Sequence, residues 1–345
     1  MSAEIPAGAM RFNSDSQKLE YWNGSAWFQV HTATPNLASA GDPTPGARGL
    51  FAGGFLNPGD SNEIDYINIA STGQAIDFGA NLINARRTHA TFSSRTRGVM
   101  AAGYGGGGRS DIEYLTIAST GTVSSFGSLD LGARWNCAGA SNETRGLIMG
   151  GETPSPATFV DEIEYVTIAS TGNAKDFGNL SEACRTGGQG GAASPTRAVF
   201  HRGNTTPAGH VTGIDFVTIA TLGDGQDYAD LSATKIRVGT LSNPIRALFG
   251  GGINPANTDL IESLSIASGG GASNFGDLTV AGRRGGTASS PTRGVWGGNI
   301  SAPTDSISNV IDYVTIQTEG NAVDFGDLSV TRGQCAGFSN AHGGL

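Results

Sequence analysis

Residue types able to do chemistry recur in this 345-residue sequence with a period near 49 residues. An Arg opens the phrase R-G/A-apolar-apolar at Arg48, Arg97, Arg145, Arg197, Arg246 and Arg293, spaced 47 to 52 residues apart, and an acid follows each in turn: Asp65, Glu113, Glu164, Asp215, Glu262 and Asp312. Six carboxylates related by a repeat could ring a metal ion or supply the two carboxyl groups of glycoside cleavage. The same residues could instead form Arg–carboxylate bridges between neighbouring strands, repeated because the unit is repeated, with the bidentate geometry a guanidinium favours. The basic residues point to bridges. Eighteen are Arg and three are Lys (Lys18, Lys175, Lys235), a bias expected where cations sit in fixed, partly buried frames.

Other chemical signatures dissolve into the same period. Asp77-Phe78-Gly79, Asp176-Phe177-Gly178 and Asp324-Phe325-Gly326 each spell the magnesium-binding triplet of protein kinases, but three copies in one register mark a structural motif. Gly103 to Gly108 fit G-x-G-x-x-G without opening a helix in a strand–helix–strand unit, so the phosphate-cradling geometry is missing. His31, His89, His201, His210 and His342 occupy unrelated places in the repeat and show neither zinc-protease spacing nor a triad order. Cys137, Cys184 and Cys335 lack paired spacing and read as small buried residues. No catalytic residue, metal site or cofactor is expected.

The elements that carry these residues must be strands. Gly makes up 54 residues, about twice the usual share, and charged residues are scarce. Each Gly costs a helix about 1 kcal/mol relative to Ala. With 38% hydrophobic residues and no G-X-Y period, neither disorder nor collagen fits. A second repeated phrase, IDYINIASTG from Ile64 and IDYVTIQTEG from Ile311 among its six copies, is β-branched and aromatic, apolar on both parities, and ends at a turn. An aromatic-small phrase centred on Phe78, Phe126, Phe177, Tyr228, Phe275 and Phe325 follows it. A small-residue stretch such as GGTASS precedes the turn before each Arg. Four short strands per unit, six times over, predict a β-propeller. One further small-residue stretch, near residues 333–340, has no unit of its own and is expected to return to the first unit as its missing strand. If LASAG near residues 37–41 supplies that strand, the C-terminus begins a seventh copy.

The layout, a hydrophobic strand ending in Gly-Gly with the next unit about 50 residues on, resembles the kelch and galactose-oxidase style of propeller. The kelch Tyr and Trp are not matched in place. The tandem phrases IDYVTIxxxGNAxDFGDL and SPTRGVW are similar to repeats of bacteriophage tail-fibre and other virion proteins over residues 48–340. The segment GAMRFNSDSQKLEYWNGSAWFQV, residues 8–30, resembles a short hairpin at the edge of phage fibre modules. The expected fold is therefore all-β: a six-bladed kelch-like β-propeller over residues 48–345, closed by the C-terminal strand. A small N-terminal β-hairpin attachment module over residues 1–30 and a Pro- and Ala-rich linker over 31–47 precede it.

Physically, Asn23-Gly24 suits a tight hairpin turn. Trp22, Trp27 and Phe28 give a module too small to hide them an attachment or oligomer contact. Within each unit the turns are short at one end. The connections from Gly-Gly to I-D/E-Y, at the other end, are longer and vary freely, as recognition loops do. Phe55, Tyr104, Phe159 and His210 could stack on a sugar there, and Asn57, Arg109, Asn204, Asn257 and Asp305 could hydrogen-bond its hydroxyls.

A net charge of −9 argues against a nucleic-acid partner, no apolar run reaches membrane length, and no signal peptide is expected because the start MSAEIPAGAMRF has neither a basic nor an apolar region. The resemblance implies a non-enzymatic virion protein made in the host cytoplasm. Its expected role is a multicopy or homo-oligomeric tail-fibre or adhesin subunit that binds other virion proteins through the N-terminal module. Its loop face would bind a host-surface glycan or protein. The alternatives are a capsid or tail decoration protein without a receptor, and a glycan-active propeller enzyme.

Overall fold

The computed structural model describes residues 6, 8–13, 18–29, 48–188, 191–253, 255–283, 285–301 and 305–345. The linker at 31–47, the LASAG stretch and His31 lie outside the described residues. The chain separates into two compact units, Met1–Pro45 and Gly46–Leu345. Among the described residues it is all-β and has no helix, hence none long and apolar enough to cross a membrane.

In the N-terminal unit, Met10–Asn13, Lys18–Trp22 and Trp27–Gln29 form a three-stranded antiparallel meander, one strand more than a hairpin. The Asn23–Ala26 loop is held by the Asn23 side chain, whose Oδ1 accepts from Ser25 N and Ala26 N at 2.9 and 2.8 Å. The register Met10↔Tyr21↔Phe28 and Phe12↔Leu19 puts five apolar residues on one face. All five are exposed, Phe12 at 65% and Met10 at 60%. The two tryptophans lie apart from that face. Trp22 and Trp27 pair with each other on the opposite face, ring centroids 5.5 Å apart, with Arg11 over Trp27 at 4.2 Å. Alternation along the strand separates them from Phe28.

In the larger unit each repeat yields four antiparallel strands, whose order in the sheet follows the chain. Sheet 2 is Ala90–Ser93, Arg97–Ala101, Asp111–Thr116 and Ser124–Ser128. Sheet 3 is Ala138–Ser141, Arg145–Met149, Val160–Thr167 and Lys175–Arg185, extended by Asn204–Thr205 and Gly209–His210. Sheet 4 begins Gly191–Ala193, Arg197–His201, sheet 5 Gly239–Ser242, Arg246–Gly250, and sheet 6 Gly286–Ser289, Arg293–Gly297. Sheet 1 takes its first strand, Ala336–Ser339, from the C-terminus, followed by Arg48–Phe55, Asp60–Asn68 and Ile76–Asp77. The C-terminal strand pairs as expected, Ala336↔Ala52 through Ser339↔Gly49.

The β-branched phrases are buried on both faces: Ile64, Ile67 and Ile69 are each 3% exposed or less. Their side chains fill clusters shared by successive sheets. Leu50 and Ile64 meet Leu115 and Ile117; Phe92 and Val99 meet Val166 and Ile168; Phe51 and Ile67 meet Val295 and Ile311, joining sheet 1 to sheet 6. The first strands of sheets 2 to 6 each touch the next, and that of sheet 1 touches those of sheets 6 and 2.

The repeated Arg seals these junctions. Arg48, Arg97, Arg145, Arg197, Arg246 and Arg293 donate from Nη1 to the carbonyls of Ile117, Ile168, Ile219, Ile266, Ile316 and Ile69, at 2.7 to 3.0 Å. Each guanidinium also lies over an aromatic ring of its own sheet, such as Arg97 over Tyr114 at 4.4 Å. The aromatic-Gly phrase that includes two of the D-F-G triplets makes joints too. Gly73, Gly172, Gly223 and Gly320 donate to the carbonyls of Phe325, Phe126, Phe177 and Phe275. A Cβ on Gly326 would stand 2.3 Å from Gly73 O, so only Gly admits that approach.

Candidate functional site

The ion-pair expectation needs correction in all six repeats. Asp65 faces Phe51 in the ladder, and the same register holds in the other sheets, for example Met100↔Glu113. Each acid thus lies three residues along the strand from its repeat Arg. That is an odd offset, roughly 10 Å, which puts the two side chains on opposite faces. The acids turn instead to a second repeated cation just before each first strand. Arg332 Nη2 lies 3.2 Å from Asp65, Arg134 Nη2 2.5 Å from Glu164 and Lys235 Nζ 2.5 Å from Glu262, while Arg86 pairs with both Glu113 and Asp111.

Two repeats lack that cation, and each solves the problem differently. Cys184 takes the place in sheet 3, and Arg202, just past the strand Arg197–His201, reaches Asp215 at 3.0 Å. Gly282 takes it in the repeat of Asp312, whose carboxylate accepts from Thr279 Oγ1 at 2.6 Å. Burial pushes Asp312 above the ordinary carboxylate range. Burial would also raise Glu262, but Lys235 outweighs it and the carboxyl titrates low. The acids are therefore structural anchors below the surface.

Strand alternation puts the turns between first and second and between third and fourth strands at one end of the sheets, the turn end. The loops from second to third strand and the connections to the next sheet lie at the other, the loop end. At the loop end a cavity of about 310 Å³ is lined by Arg87, Thr88, Tyr104, Trp135, Asn136, Arg185 and Gln334. Tyr104 meets Trp135 edge-on, with ring centroids 5.7 Å apart. Arg87 stacks on Tyr104 at 4.6 Å and on Phe55 at 4.9 Å and pairs with Asp60 at 2.9 Å. Arg185 stacks on Phe159 at 4.9 Å and pairs with Glu152 at 2.8 Å. Such a cavity offers guanidinium N–H groups, amides, a hydroxyl and an indole edge, a set suited to a polar ligand.

Of the residues expected to bind, the structure brings Tyr104 to this cavity. Phe55 and Phe159 each have one ring face under an arginine, which removes that face from sugar stacking. Asn257 and Asp305 belong to a separate network: Arg283 Nη1 donates to Asn257 Oδ1 at 2.6 Å and pairs with Asp305 at 2.8 Å. Arg109 Nε is held by Asp111 at 2.8 Å. Asn204 and His210 pair with each other across a short ladder, and Asn57 sits exposed in a turn closed by Leu56 N and Gly59 O. Sequence reasoning missed Arg87, Trp135, Asn136, Arg185 and Gln334. Their signal was positional, since they stand beside the buried cation, or beside Cys184 in its place, in the connection that enters each first strand.

At the turn end the same first strands converge on their hydroxyls. Ser141, Ser289 and Ser339 donate from Oγ to the carbonyls of Ser93, Ser242 and Ser289 at 2.5 to 2.8 Å, and Ser93 donates to Ser339 O at 2.7 Å. The last residues of the chain cover this end. His342 Nδ1 accepts from Gly344 N at 3.1 Å, which leaves the proton on Nε2 to be donated to Ser93 O at 3.0 Å. Burial presses the His342 pKa down to about 4.

The sequence matches no protein-family model and no curated protein.

Proposed function

We propose that the six sheets form a closed six-bladed β-propeller of kelch-like layout, and that the protein is a phage virion component, a tail-fibre or adhesin subunit. Its loop end binds a host-surface receptor. The cyclic order of the Arg-to-Ile carbonyl bonds, ending in Arg293 to Ile69, and the pairing of the C-terminal strand with Arg48–Phe55 support the ring. The resemblance of the repeats and of residues 8–30 to fibre proteins supports the virion. The bare face of Met10, Phe12, Leu19, Tyr21 and Phe28 supports attachment through the N-terminal sheet, because a contiguous exposed apolar face marks an interaction surface.

The observation that carries receptor binding is the cavity at the loop end. Its polar groups converge around an aromatic pair, while at the turn end the serine hydroxyls of the first strands bond to one another's carbonyls. A glycan is the receptor class this chemistry fits best, and several copies on one particle would turn weak single contacts into durable adhesion.

A glycan array probed with the full chain tests the reading. Retention of a saccharide that Trp135→Ala lowers about tenfold, roughly 1.4 kcal/mol, is expected, while Ile245→Ala at the turn end leaves it unchanged. Cleavage of the arrayed saccharide would move the protein to the enzymes. A blank array, with the protein imaged on intact particles, would leave a decoration protein.

A further inference from the structure

Around the axis at the loop end the backbone is linked from repeat to repeat. Thr88 N donates to Gln334 O at 3.3 Å, Asn136 N to Thr88 O at 3.0 Å, Thr186 N to Asn136 O at 3.1 Å and Arg237 N to Thr186 O at 3.2 Å. Four members of this rim are left-handed: Thr88, Asn136, Gln334 and Arg237, with φ of 51°, 58°, 57° and 64°. That conformation suits Gly and tolerates Asn, whereas in a long side chain it stores strain.

Arg237 also differs from the arginines around it. Its neighbours are satisfied, Arg185 by Glu152 and Arg283 by Asp305 and Asn257. Among the described residues Arg237 forms no ion pair, and its Nε is buried with no hydrogen-bond partner. Burial and then the nearby charges of Arg283 and Arg185 press its pKa down, with Asp305 opposing. A strained, unpaired cation beside the Arg185 wall of the cavity is a site built for an anion that the chain does not itself supply.

We infer that this rim takes the anionic group, carboxylate or sulfate, of an acidic sugar, held by the guanidinium of Arg237 with Arg185 beside it. The sugar ring lies toward Tyr104, Trp135, Asn136 and Gln334. A guanidinium fork matches either anion through two parallel N–H donors. The inference rests on reading the loop end as a glycan-binding face, and adds to it the charge of the glycan.

The test is calorimetric titration of the full chain with glucose, glucuronic acid and glucose 6-sulfate at low salt. At least one of the two acidic sugars should bind about tenfold more tightly than glucose, and the stronger one identifies the anion. Arg237→Gly should abolish that preference while its thermal midpoint stays level or rises, because Gly is at ease at this φ. That pairing separates lost binding from lost folding. Glucose bound as tightly as both acids, or a preference that survives Arg237→Gly, overturns the inference and leaves the glycan reading intact. No heat with any of the three sugars also overturns it, and the array then judges the glycan reading separately.

Discussion

The two ends of the larger unit are built from the same strands and do opposite things with their polar groups. At the turn end, Ser93, Ser141, Ser242, Ser289 and Ser339 each give their hydroxyl to a carbonyl of a neighbouring first strand, and Gly343 N reaches Ser242 O at 3.0 Å. At the loop end the corresponding positions hold Thr88, Asn136, Arg237 and Gln334 on left-handed backbone, and Thr88 Oγ1 and Arg237 Nε are buried there without a hydrogen-bond partner. Local self-satisfaction gives rigidity and leaves nothing for a partner. Surplus donors in a rigid frame give a binding surface. What the comparison teaches is that one repeated unit can close its polar groups on itself at one end and leave some of them unmatched at the other.

The comparison breaks most severely if the latch is cut. Removing residues 334–345 deletes the strand beside Arg48–Phe55 together with the cover at the turn end. The truncated chain should lose its cooperative thermal transition, read by circular dichroism. A transition within a few degrees of the full chain would mean that the C-terminal strand is dispensable.

Next in size is the buried cation beneath the loop end. Arg134→Met leaves Glu164 buried and unpaired and should cost about 3–5 kcal/mol in denaturant unfolding. At the turn end, Ser289→Ala removes one neutral hydroxyl bond and should cost only about 1 kcal/mol. Equal costs would erase the energetic distinction between the ends.

The pH dependence should come from buried histidines. Burial holds His342 and His201 down to about 4, and His89 to about 3, from 6.5. The unfolded chain therefore takes up protons near pH 6.5 that the folded chain refuses until about pH 4. Stability is complete above pH 6.5 and falls as pH drops through that window, by roughly 1.4 kcal/mol per pH unit for each such histidine. His342→Gln should reduce the slope by about one proton's share, a change that unfolding curves at pH 7, 6 and 5 would register. An unchanged slope would show that the tail does not pack as described.

Much of this was legible in the sequence, for identifiable reasons. The four strands per repeat and the returning C-terminal strand follow from short β-branched phrases and Gly turns, which speak for local structure. The partners of the six acids did not follow. Arg97 and Glu113 are close in repeat phase, but the register that separates them is set by pairing across the sheet. The second cation, such as Arg86 or Arg134, recurs in four of the six repeats, yet its meeting with the acid requires the next strand to be placed first. The cavity was half legible. Variable loops pointed to the end that carries it and to Tyr104, but Arg185, Asn136 and Gln334 sit in connections that converge only once the sheets are assembled.

The most direct measurement is hydroxyl-radical footprinting of the full chain while it is held on a saccharide selected from the array. The account predicts protection of Tyr104 and Trp135 at the loop end, with Leu222 and Ile245, exposed at 58% and 67% on the turn end, labelled as in the free protein. Protection of Leu222 and Ile245 with Tyr104 and Trp135 unchanged would contradict it.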